Sequence, residues 1–242
     1  MLSFFLEPGG RDLIRKVEKG RLFDEWPEKY DRWFTTPIGG PVKKYEAELL
    51  LDLLRPSQGE IILDAGCGTG VFTLDFLSRR AKVIGLDISL PMLRRSREKA
   101  GGYSLQSVLG DMLNLPFSED SFDKVISVTA LEFIEDGAAA VRELFRVVQK
   151  GGCIVVATLN SLSPWAARRK VEAKQKESIF EKVVFRSPDE LRSLAPVDGV
   201  IRTAIHFQKG DDLDLADTVE REGRRKGLNT GAFIAARWNK KI

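Results

Sequence analysis

The stretch Ile62-Leu63-Asp64-Ala65-Gly66-Cys67-Gly68-Thr69-Gly70 decides the fold of this chain. An apolar run over residues 60–64 predicts a β-strand, and a helical pattern follows over residues 71–80. The three glycines between them allow a tight turn, in which the backbone can approach a ligand and the next helix can aim free N–H groups at it. Strand, glycine turn and helix in this order predict one unit of an α/β sheet.

The same alternation extends in both directions from this unit. An amphipathic helix over residues 42–55 precedes it, and helices are predicted over 91–100 and 135–149, the second with Gly151-Gly152 as its C-terminal cap. Further strands are predicted over residues 81–87, 104–109, 122–128, 153–159, 200–208 and 232–238. Strands that alternate with helices predict a Rossmann-like, three-layer α/β/α sandwich with a parallel sheet.

The chain is predicted to consist of an N-terminal segment, residues 1–41, that covers the ligand site, followed by one domain over residues 42–242. An insertion is expected at about 161–187: Ser163-Pro164-Trp165 starts a charged helix to about residue 181, and Ser187 with Glu190 forms a capping box. We expect the charged and glycine-rich connection over residues 209–230 to be mobile.

Composition excludes several classes of protein. The 242 residues include 38 basic and 35 acidic side chains, a net charge of +3 that is too small to indicate wrapping of nucleic acid. The basic residues at 168–176 and 221–226 alternate with glutamates, which is typical of solvated helix faces. Two cysteines, Cys67 and Cys153, without CxxC spacing predict no zinc site and a reducing, cytoplasmic location. The apolar residues 1–6 are too few for a signal peptide, and no stretch is long enough to span a membrane.

Two aspartates suggest the kind of ligand. Asp64 and Asp87 follow consecutive strands and lie 23 positions apart, close to the spacing at which an acid accepts ribose hydroxyls. A nucleoside ligand is therefore expected, although a glycine turn alone also occurs without any ligand. Val71 stands where the third glycine of a nicotinamide-dinucleotide motif would fall, which disfavours an NAD-dependent oxidoreductase.

Four ordered motifs resemble those of class I S-adenosylmethionine-dependent methyltransferases, in particular the branch of ubiquinone and menaquinone biosynthesis enzymes with a type 11 methyltransferase domain. The resemblance covers about residues 30–160. It implies a seven-stranded sheet whose last strand is antiparallel. The motifs are Ile62 to Gly70, Val83-Ile84-Gly85-Leu86-Asp87-Ile88-Ser89, Gly110-Asp111-Met112 with Leu115-Pro116-Phe117, and Ser121-Phe122-Asp123-Lys124-Val125-Ile126.

The resemblance also implies roles for individual residues toward S-adenosylmethionine and its product S-adenosylhomocysteine. The expected contacts are Asp64 with the methionine ammonium, the backbone of Gly66, Cys67 and Gly68 along the ligand, Asp87 with both ribose hydroxyls, Ile88 and Met112 on the two faces of the adenine, Asp111 with its exocyclic amine, and Thr129, Ala130 and Leu131 beside the methyl group.

The sequence does not assign a catalytic base. Tyr30, Glu132 and the lone His206 are candidates, and His206, on a predicted strand, is also explained by ordinary packing. Tyr30, Trp33 and Phe34 either close over the ligand or pack in the N-terminal segment, which is too irregular for a strand or a clean helix. Trp165 either lines an acceptor pocket or anchors its helix.

These features predict a methyltransferase that acts on a small-molecule acceptor, as a monomer or homodimer, without nucleic acid or metal. Thr129-Ala130-Leu131-Glu132 stands where an asparagine-proline-proline-aromatic signature would indicate methylation of nucleobase or glutamine nitrogens. The alternative is a non-catalytic module that binds the same cofactor and has a regulatory or assembly role. Turnover would separate the two, since a binding module releases no S-adenosylhomocysteine.

Overall fold

A computed structural model describes residues 22–175 and 183–242 of the chain. Two expectations lie outside these ranges: the apolar opening at residues 1–6, and the end of the charged helix predicted to reach about residue 181. In the described part of the chain, no helix combines the length and the apolar character needed to cross a bilayer.

Seven strands form one sheet. They are β1 (Ile61–Ala65), β2 (Lys82–Asp87), β3 (Leu105–Leu109), β4 (Phe122–Val128), β5 (Val148–Leu159), β6 (Gly199–Ala204) and β7 (Phe233–Asn239). Their order is β3-β2-β1-β4-β5-β7-β6. Strand β7 is antiparallel to both of its neighbours, and the other pairs are parallel. The predicted fold class, with a reversed last strand, is confirmed.

Helices cover both faces of the sheet. They are α1 (Pro27–Trp33), α2 (Gly39–Leu54), α3 (Thr73–Leu77), α4 (Leu90–Ala100), α5 (Gly137–Val147), α6 (Pro164–Gln175), α7 (Pro188–Arg192) and α8 (Leu213–Arg225). Along β5, Val155 packs in the core shared with α2 and α3, whereas Ile154 and Val156 pack in the core shared with α5 and α7. This alternation shows that the central strands are buried on both faces, as parallel strands are.

The predicted end of helix α5 is wrong. The helix stops at Val147, because Val148 is already extended and pairs with Phe122 at the start of β5. The pairing register of β4 and β5 then shifts before Cys153. Gly151 has a φ of 78°, and a Cβ on Gly152 would lie 2.6 Å from the Asp123 carbonyl oxygen. The glycine pair therefore permits a local break in the regular pairing of the strand, and it does not cap a helix.

Two further expectations need correction. The N-terminal residues 30–33 are helical, because Pro27 starts the short helix α1. The connection over residues 209–230 contains the 13-residue helix α8, whose start Asp212 caps, and its mobility stays a prediction. His206 does not lie on a strand: β6 ends at Ala204, and Ile205 has a φ of 66°, which no strand accommodates.

The capping box of Ser187 and Glu190 is present at the start of α7. The division of the chain into residues 1–41 and 42–242, with an insertion at 161–187, stays a prediction. Helix α2 begins at Gly39, so the proposed boundary falls in its first turn.

Candidate active site

A cavity of about 590 Å³ opens at the carboxyl ends of the parallel strands. Ligand sites of α/β sheets occur at this edge, and the volume lies in the range of small-molecule sites. Ten of the residues expected at the cofactor site line this one cavity. They are Tyr30, Asp64, Gly66, Cys67, Gly68, Asp87, Ile88, Asp111, Met112 and Thr129.

The glycine turn after β1 wraps around the end of β2. The N–H groups of Gly66 and Cys67 both donate to the Leu86 carbonyl oxygen, at 2.7 and 3.0 Å. Gly66 has a φ of 80°, and a Cβ on it would lie 2.4 Å from the Cβ of Ala130. Only glycine fits here, because both the backbone conformation and the close approach of the loop after β4 exclude a side chain.

Asp87 holds the turn in place from the end of β2. Its Oδ2 accepts from the Gly68 N–H at 2.8 Å, and its Oδ1 accepts from the Ser89 N–H at 2.9 Å. Burial raises the pKa of Asp87 above its ordinary value, although these N–H groups counteract the increase. Each carboxylate oxygen can accept more than one hydrogen bond, so Asp87 retains capacity for two hydroxyl donors.

Asp64 is 2% exposed and faces the same cavity from β1. Its Oδ2 accepts from the Thr73 hydroxyl at 2.6 Å. Burial raises the pKa of Asp64 to about 7. A cationic group bound beside this carboxyl would favour its ionised form, which makes Asp64 suited to an ammonium.

The turn after β3 forms a further wall of the cavity. The Gly110 N–H donates to the Asp87 carbonyl oxygen at 3.0 Å, and Asp111 Oδ1 accepts from the Leu113 N–H at 2.9 Å. Met112 is buried, and its sulfur accepts from the Ser127 hydroxyl at 3.5 Å. Apolar side chains of Met112 and Ile88 therefore line the cavity next to a turn that offers polar groups.

Helix α1 closes the cavity from above. The Tyr30 hydroxyl lies 3.5 Å from Thr129 Oγ1, at the end of β4. Thr129 has a φ of 47°, a strained conformation for a β-branched residue, of the kind that clusters at functional sites. Trp33 and Phe34 also line the cavity, and Phe34 packs edge to face against Phe72 with ring centroids 5.8 Å apart. The aromatic residues of the N-terminal segment thus cover the site.

Asp31, which the sequence did not single out, attaches this cover. Its carboxylate accepts from Thr69 Oγ1 at 2.6 Å, from Lys99 Nζ at 2.7 Å and from Arg95 Nε at 2.9 Å. Burial opposes ionisation of Asp31, but the donors outweigh it and lower the pKa of this carboxyl. The cover is therefore ion-paired to α4 and hydrogen-bonded to the glycine turn.

Two buried glutamates lie at the far end of the cavity. Glu132 is 2% exposed in a 3₁₀ turn over Leu131–Phe133, and the Thr158 hydroxyl donates to its Oε2 at 2.9 Å. Glu46, on α2, is 7% exposed and was not singled out from the sequence. Burial raises the pKa of Glu132 to about 7 and that of Glu46 to about 8. Arg169 of α6 lines the same end.

Arg186 fixes the turn that carries Glu132. Its guanidinium donates to the carbonyl oxygens of Leu131 and Ile134, at 3.0 and 3.1 Å. The Val184 N–H donates to the Glu132 carbonyl oxygen at 2.8 Å. The turn after β4 is thus fixed by hydrogen bonds from Val184 and Arg186, which belong to the predicted insertion.

Some sequence candidates lie outside the cavity. His206 packs against Gly223 of α8, and neither of its ring nitrogens has a hydrogen-bond partner among the described residues. Trp165 is 5% exposed and donates from Nε1 to the Phe207 carbonyl oxygen at 2.7 Å, so it anchors α6. Leu131 is buried beneath the turn. Of the three candidate bases, only Tyr30 and Glu132 line the cavity.

The fold and the site define a class of protein. A seven-stranded sheet with a reversed β7, and a glycine turn with Asp64 and Asp87 at its carboxyl edge, constitute the arrangement of class I S-adenosylmethionine-dependent methyltransferases. Residues 63–156 match the family described as "Methyltransferase domain". The match covers this central part of the chain, and it confirms the resemblance to methyltransferases found in the sequence.

Comparison with individual proteins agrees with this class. The chain is 37% identical over 139 residues to a demethylmenaquinone methyltransferase of Corynebacterium kroppenstedtii; the match covers 57% of this chain and 58% of the relative. The chain thus spans less than two thirds of that protein.

Two solved structures share the fold. One is an S-adenosylmethionine-dependent methyltransferase of Thermotoga maritima, with a TM-score of 0.68, 21% identity and coverage of 91% of this chain and 99% of that chain. The other is a Haemonchus contortus phosphoethanolamine N-methyltransferase in complex with S-adenosylhomocysteine, with a TM-score of 0.66, 15% identity and coverage of 94% and 59%. At these identities the likeness concerns the fold.

Proposed function

We propose that this protein transfers a methyl group from S-adenosylmethionine to a small-molecule acceptor. The observation that carries the proposal is a cavity at the carboxyl edge of the sheet that Asp64, Asp87 and the glycine turn line together. Bound S-adenosylmethionine supplies a methyl group on a positively charged sulfur. The match of residues 63–156 to the methyltransferase family supports the same activity.

The residues present fit this cofactor. Asp64 is suited to its ammonium group, and Asp87 to its ribose hydroxyls, because each carboxyl is buried and faces the cavity. The apolar side chains of Ile88 and Met112 suit the two faces of the adenine, and Asp111 its exocyclic amine. The backbone of Gly66, Cys67 and Gly68 lies along the remaining wall.

The chain contributes mainly by binding, orientation and exclusion of water, which are the largest requirements of a methyl transfer between bound groups. Tyr30, Trp33 and Phe34 cover the cavity, and the ion pairs of Asp31 keep that cover in place. Burial raises the pKa of the Tyr30 hydroxyl well above its ordinary value, so it stays protonated and orients groups as a hydrogen-bond donor or acceptor. Glu132 is left as the side chain that can hold a proton of the acceptor.

The acceptor is proposed to be a small molecule because α1 covers the cavity and apolar side chains line most of it. The curated relative is named for a small molecule, demethylmenaquinone.

We further propose a cytoplasmic location, supported by Cys67 and Cys153, which are both free. A monomer or homodimer without nucleic acid remains the proposed state of the protein.

Isothermal titration calorimetry with S-adenosylmethionine and S-adenosylhomocysteine tests the cofactor. We expect micromolar binding, and a loss of about 10- to 150-fold in Asp87→Ala, because a charge-assisted hydrogen bond contributes about 1.5–3 kcal/mol. NAD serves as the control and should not bind. Absence of binding by folded protein would contradict the proposal. Release of S-adenosylhomocysteine with an acceptor then distinguishes an enzyme from a binding module.

A further inference from the structure

One carboxyl group of the cavity has no hydrogen-bond or ion-pair partner among the described residues. Glu46 lies on α2, is 7% exposed and lines the cavity. It makes no hydrogen bond or ion pair with any residue of the ranges 22–175 and 183–242. A buried carboxylate without donors is unfavourable, so proteins retain one only where something else supplies the missing interactions. Glu46 is therefore available to a ligand.

Glu132 faces the same space from the turn after β4. Its side chain accepts from Thr158, at 2.9 Å, which leaves acceptor capacity on both oxygens. The charge of Arg169 acts on Glu46 and Glu132 alike, and that of the buried Arg186 acts on Glu132 as well. Lys29 also lines the cavity, but it is exposed, so its charge is solvated at the rim.

Aromatic side chains form much of the cavity wall. Phe23 and Phe133, next to Glu132 in the chain, pack edge to face with ring centroids 4.9 Å apart, and Trp26 lines the same cavity. These walls favour an apolar body over a sugar or a phosphate ester. An acceptor that fits must combine such a body with a group that donates hydrogen bonds to the two carboxyls.

We propose that the cavity binds the protonated amino group of a small apolar amine, with Glu46 and Glu132 as its carboxylate partners. The inference rests on the proposed function, in which this amine is the methyl acceptor. For transfer, Glu132 takes one proton from the bound ammonium, and the nitrogen lone pair then forms the N–CH₃ bond as the S–CH₃ bond breaks. The products are the methylated ammonium and S-adenosylhomocysteine, and the proton passes from Glu132 to solvent. An ammonium group has three donors and one positive charge, which suits two carboxyl groups that retain acceptor capacity. A carboxylate or phosphate acceptor has no donors for them and would repel their ionised forms, and an alcohol offers a single donor and no charge.

Binding of an amine should be linked to release of a proton. The charged and titratable groups that act on Glu46 are Lys43 on its own helix, Arg169 on α6, Glu132 after β4 and Tyr30 on α1. Because the pKa of Glu46 is about 8, its carboxyl is mostly protonated at pH 7 without a ligand. A bound ammonium favours the carboxylate, so a proton leaves the protein. Amine affinity should therefore rise from pH 6 to pH 8.

Three probes of one shape test the proposal: phenethylamine, 2-phenylethanol and phenylacetate. Each is titrated calorimetrically into protein saturated with S-adenosylhomocysteine. We expect phenethylamine to bind at least about tenfold more tightly than 2-phenylethanol, and phenylacetate to bind most weakly. Titrations at pH 7 in phosphate and in Tris, which differ in ionisation enthalpy, should give different heats for phenethylamine because a proton is released.

Two variants on one helix provide the matched comparison. Glu46→Gln keeps the shape of the protonated side chain, and we expect it to bind phenethylamine about tenfold less tightly without release of a proton. Glu48→Gln changes an exposed residue two positions away and should leave the affinity unchanged. Both should bind S-adenosylhomocysteine normally, which separates failure of this proposal from failure of the cofactor site.

Four outcomes would overturn the inference: equal binding of the three probes, preference for phenylacetate, no binding of phenethylamine, or equal losses in the two variants. If S-adenosylhomocysteine does not bind at all, the proposed function fails. In that case the amine site can still be tested. Phenethylamine is titrated into the cofactor-free parent protein and into the two variants, and their affinities are compared as before.

Discussion

Thr69 Oγ1 donates a hydrogen bond of 2.6 Å to Asp31 Oδ1, which joins the turn after β1 to the helix that covers the cavity. Lys99 Nζ donates to the same oxygen at 2.7 Å. The cofactor turn, the cover α1 and helix α4 therefore meet at one carboxylate. This junction attaches the cover to the turn that lines the cavity.

Asp31→Ala should loosen the cover. The change removes three acceptor contacts and leaves Lys99 without its carboxylate, so we expect S-adenosylhomocysteine to bind about tenfold less tightly and to dissociate faster. Calorimetry and stopped-flow displacement measure the two effects. Glu98→Ala is the control, because its ion pair with Arg95, at 3.3 Å, is exposed. Equal effects of the two changes would contradict the role of Asp31.

Gly66→Ala should disrupt the turn itself. A methyl group there combines a φ of 80° with a contact of 2.4 Å to Ala130, whereas at Gly59 it meets a φ of 85° and nothing within 4 Å. We expect Gly59→Ala to lower the free energy of unfolding by about 1 kcal/mol and Gly66→Ala by about 3 kcal/mol or more. Urea denaturation measures both. Similar losses of unfolding free energy in the two variants would mean that the loop after β4 shifts to make room for the methyl group.

The stability of the ligand-free protein should fall as the pH rises from about 5 to 8. The pKa values of Asp64, Glu46 and Glu132 are raised to about 7, 8 and 7, so the folded protein binds more protons than the unfolded chain over this interval. Each group contributes a slope of at most about 1.4 kcal/mol per pH unit.

The variant Glu46→Gln isolates one of these contributions. We expect its unfolding free energy to exceed that of the parent protein at pH 8 and to depend less steeply on pH. Urea denaturation at pH 5, 6, 7 and 8 measures the difference, with Glu48→Gln as the exposed control on the same helix. Parallel pH profiles of the parent protein and Glu46→Gln would show that burial of Glu46 does not determine its ionisation.

Arg186→Ala should destabilise the turn that presents Glu132. It removes the guanidinium donors of the Leu131 and Ile134 carbonyl oxygens, of which Leu131 retains the Ile134 N–H, and we expect a loss of about 2–3 kcal/mol in unfolding free energy together with slower methyl transfer. The control is Arg192→Ala, which removes an exposed ion pair with Asp189 and should change stability by less than about 0.5 kcal/mol. Normal turnover in a destabilised Arg186→Ala protein would exclude a positioning role.

One missed residue had a signal in the sequence. Glu46 stands four residues after Val42 and three and four residues before Leu49 and Leu50, which places an acid on the apolar face of an amphipathic helix. Such a residue is buried by the packing of its neighbours. Asp31 carried no comparable signal, because nothing local indicates that Thr69 and Lys99 will approach it.

Local patterns were enough to predict the alternation of strands and helices, the glycine turn and the edge of the sheet at which the ligand site lies. Examples are the apolar run that forms β4 (Phe122–Val128) and the glycines after β1. The packing of the folded chain was needed to see that Glu46 and Glu132 face one cavity and that His206 lies outside it. Contacts between residues distant in the chain follow from how whole elements pack, which no local pattern specifies.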